Sequence, residues 1–494
     1  MSDSSLPFVS IITVNFNGIF FLKILFDSIA SLDYPQEKLQ VIMVDNDSTD
    51  SSVSFVKNNY PMVEVLETNK NLGYAGGNNA GVKAAKGDYI AFINNDCEVG
   101  KGWLLSLINT VRKKEEENIK IGGAGSKVLF YFKYLPLKIS IKGSSKKNSG
   151  IKESDGFYAL IKGLRINTDN DDFLKGDIYG DDIYRKDIYG FANKSFKYLK
   201  GFDDFGRDQN KNIIRKIKDD ALIWVPVIQS GRNMELDIWV SLSNPDMGIG
   251  ISIEDENIIF SEDISDLSMS VKTSGEPDFK KLTMKISMDK YRHSRRMINS
   301  CGSMINKAFY AREISYECLD KKTDERPFEV FALPGSSFII NKRLVGEIGL
   351  FDEKFFTYYE DIDFFWRAAL KGWRFFADPG SVARHFHCGT GEEWSYSFTY
   401  HVLRNRLLMI YRCCWFTGFM KNYFSFCAAA FISLVYGAAA KARRRNLLRP
   451  DIPIRIRIFF EFFILMASQL GKRFKIRTGS KVSDDAIKKW QQNF

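Results

Sequence analysis

The chain has 494 residues, too many for one ordinary core, and its 45% hydrophobic and 26% charged residues exclude a disordered or fibrous protein, so two or three folded domains are expected. The formal charge of +10 sits at one end: from His401 onward 18 Lys and Arg face 4 Asp and Glu, so the preceding residues carry about −4 and attraction to anions belongs to the tail. Seven Cys without repeating spacing predict reduced thiols in a cytoplasmic setting, and the opening MSDSSLPFVS has neither the basic stretch nor the apolar run of a signal peptide.

Phe8 to Val14 is a continuous apolar strand followed by a turn, Asn15 to Gly18, and then by a helix with Leu22, Leu25, Phe26 and Ile29 on one face. Leu39 to Val44 is a second strand that runs into DNDSTD, whose Ser, Thr and Asp suit a helix cap. Val63 to Leu66 is a third. A glycine-rich stretch, NKNLGYAGGNNAGVKAAKG, then opens a helix, and Tyr89 to Ile93 is a buried strand that delivers Asn94, Asn95 and Asp96 to its carboxyl end. The alternation predicts a doubly wound, mostly parallel α/β sheet. Such sheets bind ligands at their carboxyl edge, where Asn15, Asn17 and Asp45 would meet Asp96. Amides and a carboxylate there suit a base and its ribose, and Asp96, with Glu98 two residues on, suits a hard divalent cation. Gly73, Gly76, Gly77 and Gly81 would let backbone approach a diphosphate beside a helix N-terminus; the spacing is neither GxGxxG nor a P-loop.

Residues 131–215 turn polar, with DIYG repeated at Asp177 to Gly180 and Asp187 to Gly190, and read as an elaborated connection. The period then changes to two. Leu236, Ile238, Val240 and Leu242; Ile249, Ile251 and Ile253; Leu267, Met269 and Val271; and Leu282, Met284, Ile286 and Met288 predict an inserted β-sandwich-like domain over 216–295, with a structural or docking role preferred to glycan binding. The α/β pattern resumes near Ile298. Phe331 to Ile340 reads as a strand interrupted by Pro-Gly, and a helix beginning near Glu360 buries Phe364, Phe365 and Ala368. Asp363 has an ordinary explanation as the i,i+4 partner of Arg367, whereas Glu360 and Asp361 suit a general base at a pocket mouth. His385 and His387, one residue apart, would share a strand face, with His387 the preferred metal ligand.

Taken together, VSIITVNFNG, VDNDSTD, NLGYAGGNNAGVKAAKGDYIAFINND, LPGSSFIINKRLVGEIGLFDEKFF, YYEDIDFFWRAALKGW and HFHCGTG resemble the inverting glycosyltransferases of family two, specifically the rhamnosyltransferase-like group. The resemblance covers roughly residues 8–130 and 296–412. It implies a GT-A (doubly wound, Rossmann-like) core, a nucleotide-sugar donor, a glycan acceptor and a divalent metal, Mg²⁺ or Mn²⁺. By that likeness Thr13, Asn15, Asn17, Asp45, Gly76, Asn78, Asn79, Asn94 and Asn95 fall at the donor site. Asp96 and His387 fall at the metal, and Asp361, with Glu360 beside it, at the general base. Asn94 departs from the acidic first position of the family's DxD element, and the excursion over 131–295 has no counterpart in shorter members. Residues 1–130 are thus expected to bind the donor and 296–412 the acceptor.

Residues 413–494 form the basic tail. Asn422 to Ala440 is uncharged over about nineteen residues, near the minimum for a membrane span, and KRFKIR follows a shorter apolar run at Ile458 to Leu470. Short apolar helices with basic flanks favour the anionic headgroup region over a span, which predicts a protein peripheral on the inner face of the cell membrane with a polyprenyl-linked acceptor. The competing classes are a sugar nucleotidyltransferase, a non-catalytic glycan-binding scaffold and a nucleic-acid binder. The first lacks a basic glycine-rich loop near the N-terminus, and the last fits the interleaved Phe, Ile and Leu of the tail less well than lipid does.

Overall fold

The computed structural model describes residues 6–142, 159–167, 197–200, 203–207, 213–217, 220–227, 234–242, 248–253, 259–260, 280–286, 288–322, 326–387, 395–442 and 451–492. It divides into two compact units, Met1–Tyr131 with Ile298–Phe494, and Phe132–Met297. The DIYG repeats and the run from Leu267 to Val271 lie outside the described residues.

The first unit begins with β1 (Val9–Asn15), α1 (Ile19–Ala30), β2 (Leu39–Asp45), α2 (Ser52–Asn59), β3 (Val63–Glu67), α3 (Gly73–Ala84), β4 (Tyr89–Ile93), β5 (Cys97–Val99), α4 (Trp103–Glu116) and β6 (Ile121–Phe130). β1 to β4 pair in parallel, as their uninterrupted apolar runs require, because both faces of each central strand are covered. The second unit holds β7 (Lys133–Lys142), β8 (Ala159–Asn167), β9 (Lys197–Lys200), β10 (Asp203–Arg207), β11 (Ile213–Ile217), β12 (Asp220–Val227), β13 (Met234–Leu242), β14 (Gly248–Ile253), β15 (Ile259–Phe260) and β16 (Lys280–Ile286). These form two five-stranded antiparallel sheets, in the orders β10-β11-β8-β13-β16 and β15-β14-β7-β12-β9. The period-two reading holds where Leu236, Ile238 and Val240 are all buried. The stretch read as a polar connection also contributes strands, β7 to β11, because its many Lys and Asp residues mask short apolar alternations such as Leu135, Leu137 and Ile139.

The chain returns to the first unit with β17 (Ile298–Ser300), β18 (Ser303–Asn306), β19 (Ala311–Glu313), β20 (Phe328–Val330), β21 (Ser337–Asn341), α5 (Lys342–Ile348), α6 (Glu360–Leu370) and β22 (Arg374–His385). The main sheet runs β20-β22-β6-β21-β4-β1-β2-β3, with β17 on β6 and β5 on β22. β21 is antiparallel to both β4 and β6, so the sheet is mixed. The predicted strand from Phe331 shrinks to Ser337–Asn341, because Pro334 and Gly335 make a turn in which the Ser337 N–H donates to the Pro334 carbonyl at 3.2 Å. One core, on one face of the sheet, packs Leu25, Val56, Trp103 and Leu107 from α1, α2 and α4. The other packs Val82 of α3 and Phe364 and Phe365 of α6 with the C-terminal helices α7 (Tyr396–Cys413), α8 (Phe416–Ala442) and α9 (Asp451–Thr478). A short α10 (Asp484–Lys488) and β23 (Gln491–Gln492) end the described chain, β23 pairing with β18. Among the described residues no helix is long and apolar enough to cross a membrane.

β6 can lie between β21 and β22 only because glycine occupies its crowded positions. A Cβ on Gly123 would overlap the Ile339 carbonyl oxygen of β21, a backbone atom that cannot turn aside. Gly123→Ala is expected to lower unfolding free energy by about 1–3 kcal/mol in urea titration, as overpacking of a rigid contact does.

Candidate active site

The carboxyl edge of the sheet is built by register. Asn15 and Asp45 are paired residues at the ends of β1 and β2. The Asn15 amide donates to Asp45 Oδ1 at 3.1 Å and accepts from Asn95 Nδ2 at 2.9 Å, so three strand ends are tied by one side chain. Asp45 Oδ2 accepts from the Ser48 N–H at 2.9 Å, and Asn17, with φ 50°, accepts the Thr49 N–H at 2.7 Å. These groups shape the turn of the VDNDSTD motif. Thr13 is buried on β1, and its hydroxyl has no hydrogen-bond partner among the described residues.

The glycine-rich segment has a packing role in the fold. Cβ atoms on Gly77 and Gly81 would lie 2.7 and 2.5 Å from Val14 and Ile12 of β1, and one on Gly76 would lie 2.7 Å from Leu72. These glycines let α3 approach the sheet. Asn78 donates to the Tyr74 carbonyl at 3.0 Å within its own helix. The Asn79 amide is spent on the fold, donating to the Phe351 carbonyl and Glu353 and accepting the Phe351 N–H at 3.1 Å.

Asn94 to Cys97 form a turn, and the Asn94 N–H donates to the Ser336 carbonyl at 3.0 Å. β5 then pairs with the end of β22, Cys97 opposite His385 and Glu98 opposite Arg384. This places His385 Nε2 3.1 Å from Asp96 Oδ1, both residues buried. His385 Nδ1 donates to the amide oxygen of Asn299 at 2.9 Å, which leaves Nε2 as the ring nitrogen that faces the carboxylate. The Asn299 NH₂ contacts His387 Nδ1 at 3.3 Å. β22 ends at His385, and His387 lies beyond it with φ 58°, so the two imidazoles do not share a strand face; their rings are 5.7 Å apart and nearly perpendicular. Cys97 completes a group of three candidate metal-ligating side chains with Asp96 and His385, but burial and the Asp96 charge hold its thiol protonated. Glu98 pairs with Arg384.

The second half of the site is the start of α6. Phe356, Tyr358 and Tyr359 all have φ between 65° and 69°, a region costly for bulky side chains. The buried Asn405 amide of α7 pins this turn, reaching the carbonyls of Phe355, Thr357 and Tyr358 at 2.8 Å each. Tyr359 Oη accepts the Ala311 N–H at 3.1 Å. Glu360 and Asp361 then open the helix. Burial and the neighbouring Asp361 charge raise the Glu360 carboxyl well above its usual range, and burial pushes Asp361 up to about 6. At neutral pH Asp361 carries the charge, and that charge with burial disfavours ionisation of Glu360 beside it.

Gly335 joins the two halves. A Cβ there would stand 2.7 Å from Asp361 Oδ2, and the Gly335 carbonyl accepts from Tyr74 Oη at 2.6 Å. The next carbonyl, of Ser336, accepts from Asn94. The Asp361 carboxylate therefore lies against Gly335, the residue next in sequence to the one that bonds the turn carrying Asp96. Glu313, which the sequence reading missed, accepts from Ser300 and from Ser303 at 3.2 Å and is electrostatically coupled to both Asp361 and His385; burial pushes its carboxyl up to about 7. Its signal was faint, one acid in a short polar strand.

Residues 10–162 match the family model described as Glycosyl transferase family 2. The chain is 29% identical over 111 residues to Glycosyltransferase AglE of Haloferax volcanii, covering 22% of this chain and 36% of that one. It is 33% identical over 118 residues to a poly(ribitol-phosphate) beta-glucosyltransferase of Bacillus spizizenii, covering 23% of this chain and 18% of the other. The chain thus spans little more than a third, at most, of the length of these two relatives. A mannosyltransferase of Pyrobaculum calidifontis, solved in complex with GDP-Man and Mn²⁺, is similar at 11% identity and a TM-score of 0.37, covering 94% of this chain and 88% of that one, a likeness too weak to argue from. The match to the glycosyl transferase family 2 model thus covers less than half of the chain, and the structure there is a mixed α/β sheet.

The raised carboxyl of Asp361 has a stability signature. Its folded value lies above the ordinary 3.8, so the protonated form favours the fold: that contribution is full below about pH 4 and lost as pH rises through about 6. Asp361→Asn is expected to raise the midpoint of thermal unfolding relative to the parent at pH 8, with the difference shrinking by pH 4.

Proposed function

We propose that the protein is a metal-dependent, inverting glycosyltransferase of the rhamnosyltransferase-like kind, moving a sugar from a nucleotide-sugar donor to a hydroxyl of a polyprenyl-linked glycan at the inner face of the cell membrane. The observation that carries the reading is the contact of Asp96 with His385, on a turn bonded to Ser336, with Asp361 lying against the adjacent Gly335, in a chain whose first part matches the family-two model. The Haloferax and Bacillus relatives are named as sugar transferases, which favours the same class.

A divalent cation fits the donor set. Asp96 offers a carboxylate oxygen, and the tautomer fixed by Asn299 leaves His385 Nε2 facing it, with His387 one amide further on. Asp96 and His385 would hold Mg²⁺ or Mn²⁺, which when bound would supply positive charge to a leaving nucleoside diphosphate. The residues do the rest. Asn15, Asn17 and Asp45 line the edge where a nucleoside would lie, with Asn94 and Asn95 beside them. Asp361, ionised at neutral pH, takes the proton of the attacking hydroxyl, so a single displacement inverts the anomeric carbon. Burial and the Asp361 charge disfavour ionisation of Glu360 beside it. Glu313 is electrostatically coupled to Asp361.

Two measurements test this. Purified protein is incubated with a panel of nucleotide sugars, with Mn²⁺, Mg²⁺ or chelator, and nucleoside diphosphate release is followed. Asp361→Asn is expected to lower turnover by about 10²- to 10⁴-fold with donor affinity kept, and the parent should lose activity as pH falls through about 6; unchanged turnover removes Asp361 from the role. In Mn²⁺ titrations by electron paramagnetic resonance, His385→Ala is expected to weaken binding by about 10- to 100-fold and His387→Ala by less. The reverse order would make His387 the ligand and His385 its support.

A further inference from the structure

The C-terminal helices α8 and α9 are apolar on two faces. Their inner faces, with Phe419, Phe426, Ile458 and Phe462 buried, pack in the core with α7. Their outer faces are apolar as well. On α8, Phe424, Phe431 and Val435 are 63%, 66% and 52% exposed; on α9, Phe460, Ile464 and Phe474 are 67%, 77% and 70% exposed. Spacings of seven and four on α8, and of four and ten on α9, keep each set within about 80° of helix circumference. Scattered exposed hydrophobics need no explanation, but two such stripes on consecutive helices do.

Charge selects the occupant. From Phe416 to Thr478 the chain has 12 Lys and Arg and 2 Asp and Glu. The acid in the middle of α9, Glu461, is engaged by Tyr400 Oη of α7 at 2.6 Å and by Arg457 at 2.7 Å. Lys421 and Lys475 are exposed. A second copy of the chain would bring Lys421 and Lys475 against cations of the same kind, whereas an anionic bilayer complements them and accepts aromatic and aliphatic side chains at any lateral position. Neither helix is apolar enough to cross, so the helices would lie in the plane of the interface.

We infer that the outer faces of α8 and α9 form a membrane-docking surface, with Phe424, Phe431, Phe460 and Ile464 reaching the acyl boundary of an anionic leaflet and flanking Lys and Arg meeting its headgroups. This deepens the membrane part of the reading above and rests on it for its biological use, though not for its physics.

The test is flotation of the full chain with vesicles, read without any nucleotide sugar. Phosphatidylcholine vesicles containing phosphatidylglycerol are expected to carry the protein, and pure phosphatidylcholine to carry far less. Phe424→Ser, Phe460→Ser and Ile464→Ser combined are expected to weaken binding by about a hundredfold, since each side chain returns to water. All three are solvent-exposed, and an unchanged circular-dichroism melt confirms the fold. Donor turnover in vesicle-free solution, measured on the same variant, should equal that of the parent, so loss of docking and loss of transfer are read separately. Absence of the parent from anionic vesicles, or equal flotation of the variant, overturns the inference. So does dimerisation in sedimentation equilibrium that the triple variant abolishes, because the face would then belong to a second copy.

Discussion

The pairing of β5 with the last residues of β22 is the constraint on which the site depends. Three register pairs, Val99 with Ala383, Glu98 with Arg384 and Cys97 with His385, bring Asp96 against an imidazole far away in sequence. Neither element could do this alone, since β5 has only three residues and finds its partner because β6 already holds β22 in parallel register up to His385 with Phe130. The same strand receives β17, with Ile298 opposite Leu129. The chain therefore leaves the first unit just after β6 and re-enters on the strand beside it. An excursion as long as Phe132–Met297 can be accommodated there without disturbing the sheet, and the residue after Ile298, Asn299, is delivered directly to the histidines.

The acids at the start of α6 illustrate how one buried site divides labour between like groups. Two carboxyls side by side in a poorly solvated place cannot both ionise cheaply, so burial and the Asp361 charge together disfavour ionisation of Glu360. Holding Asp361 in that position costs backbone strain as well as desolvation, since three bulky residues in the preceding turn take left-handed conformations. The offset comes from Asn405 and from the core: Phe355 is fully buried, and an amide that fans across three carbonyls leaves the turn little freedom.

Much of the sheet was legible because central parallel strands are continuous apolar runs, and those at Val9, Leu39 and Tyr89 stand out against their turns. The polarity of β21 was not, since antiparallel and parallel strands bury the same residues when both faces are covered. Asp96 and Asp361 were legible as acids at element boundaries. His385 against Asp96 was not, because it follows from a ladder between distant segments and from a strand that stops two residues before His387. The glycines of α3 were read by type as backbone close to a ligand; the contacts with Val14 and Ile12 show that helix-to-sheet packing makes the same demand. Asn405 carries a recoverable signal, an amide one turn before Leu408 and Met409 on the same buried helix face. Glu313 had none that distinguished it from any acid in a short polar strand.

A chain of charges makes the C-terminal helices part of the frame of the site. Asp363, two residues beyond Asp361, is held by Arg367 at 2.8 Å and lies 3.6 Å from Arg412 of α7. Arg412 also bonds Asp352 at 2.7 Å, and Asp352 takes Lys472 of α9 at 2.6 Å. Burial works to raise the Asp352 carboxyl, but Arg412 and Lys472 outweigh it and hold it below the usual range. Arg367, Arg412, Asp352 and Asp363 are almost wholly buried, and each is paired in more than one direction. Such a cluster adds little net stability over apolar packing, since desolvation consumes most of its attraction, but it tolerates few alternative arrangements. Its consequence is geometric: α6 is fixed to α7 and, through Asp352, to α9, so the helix bearing Asp361 and the helix bearing the exposed apolar stripe are clamped to one another rather than joined by a flexible arm.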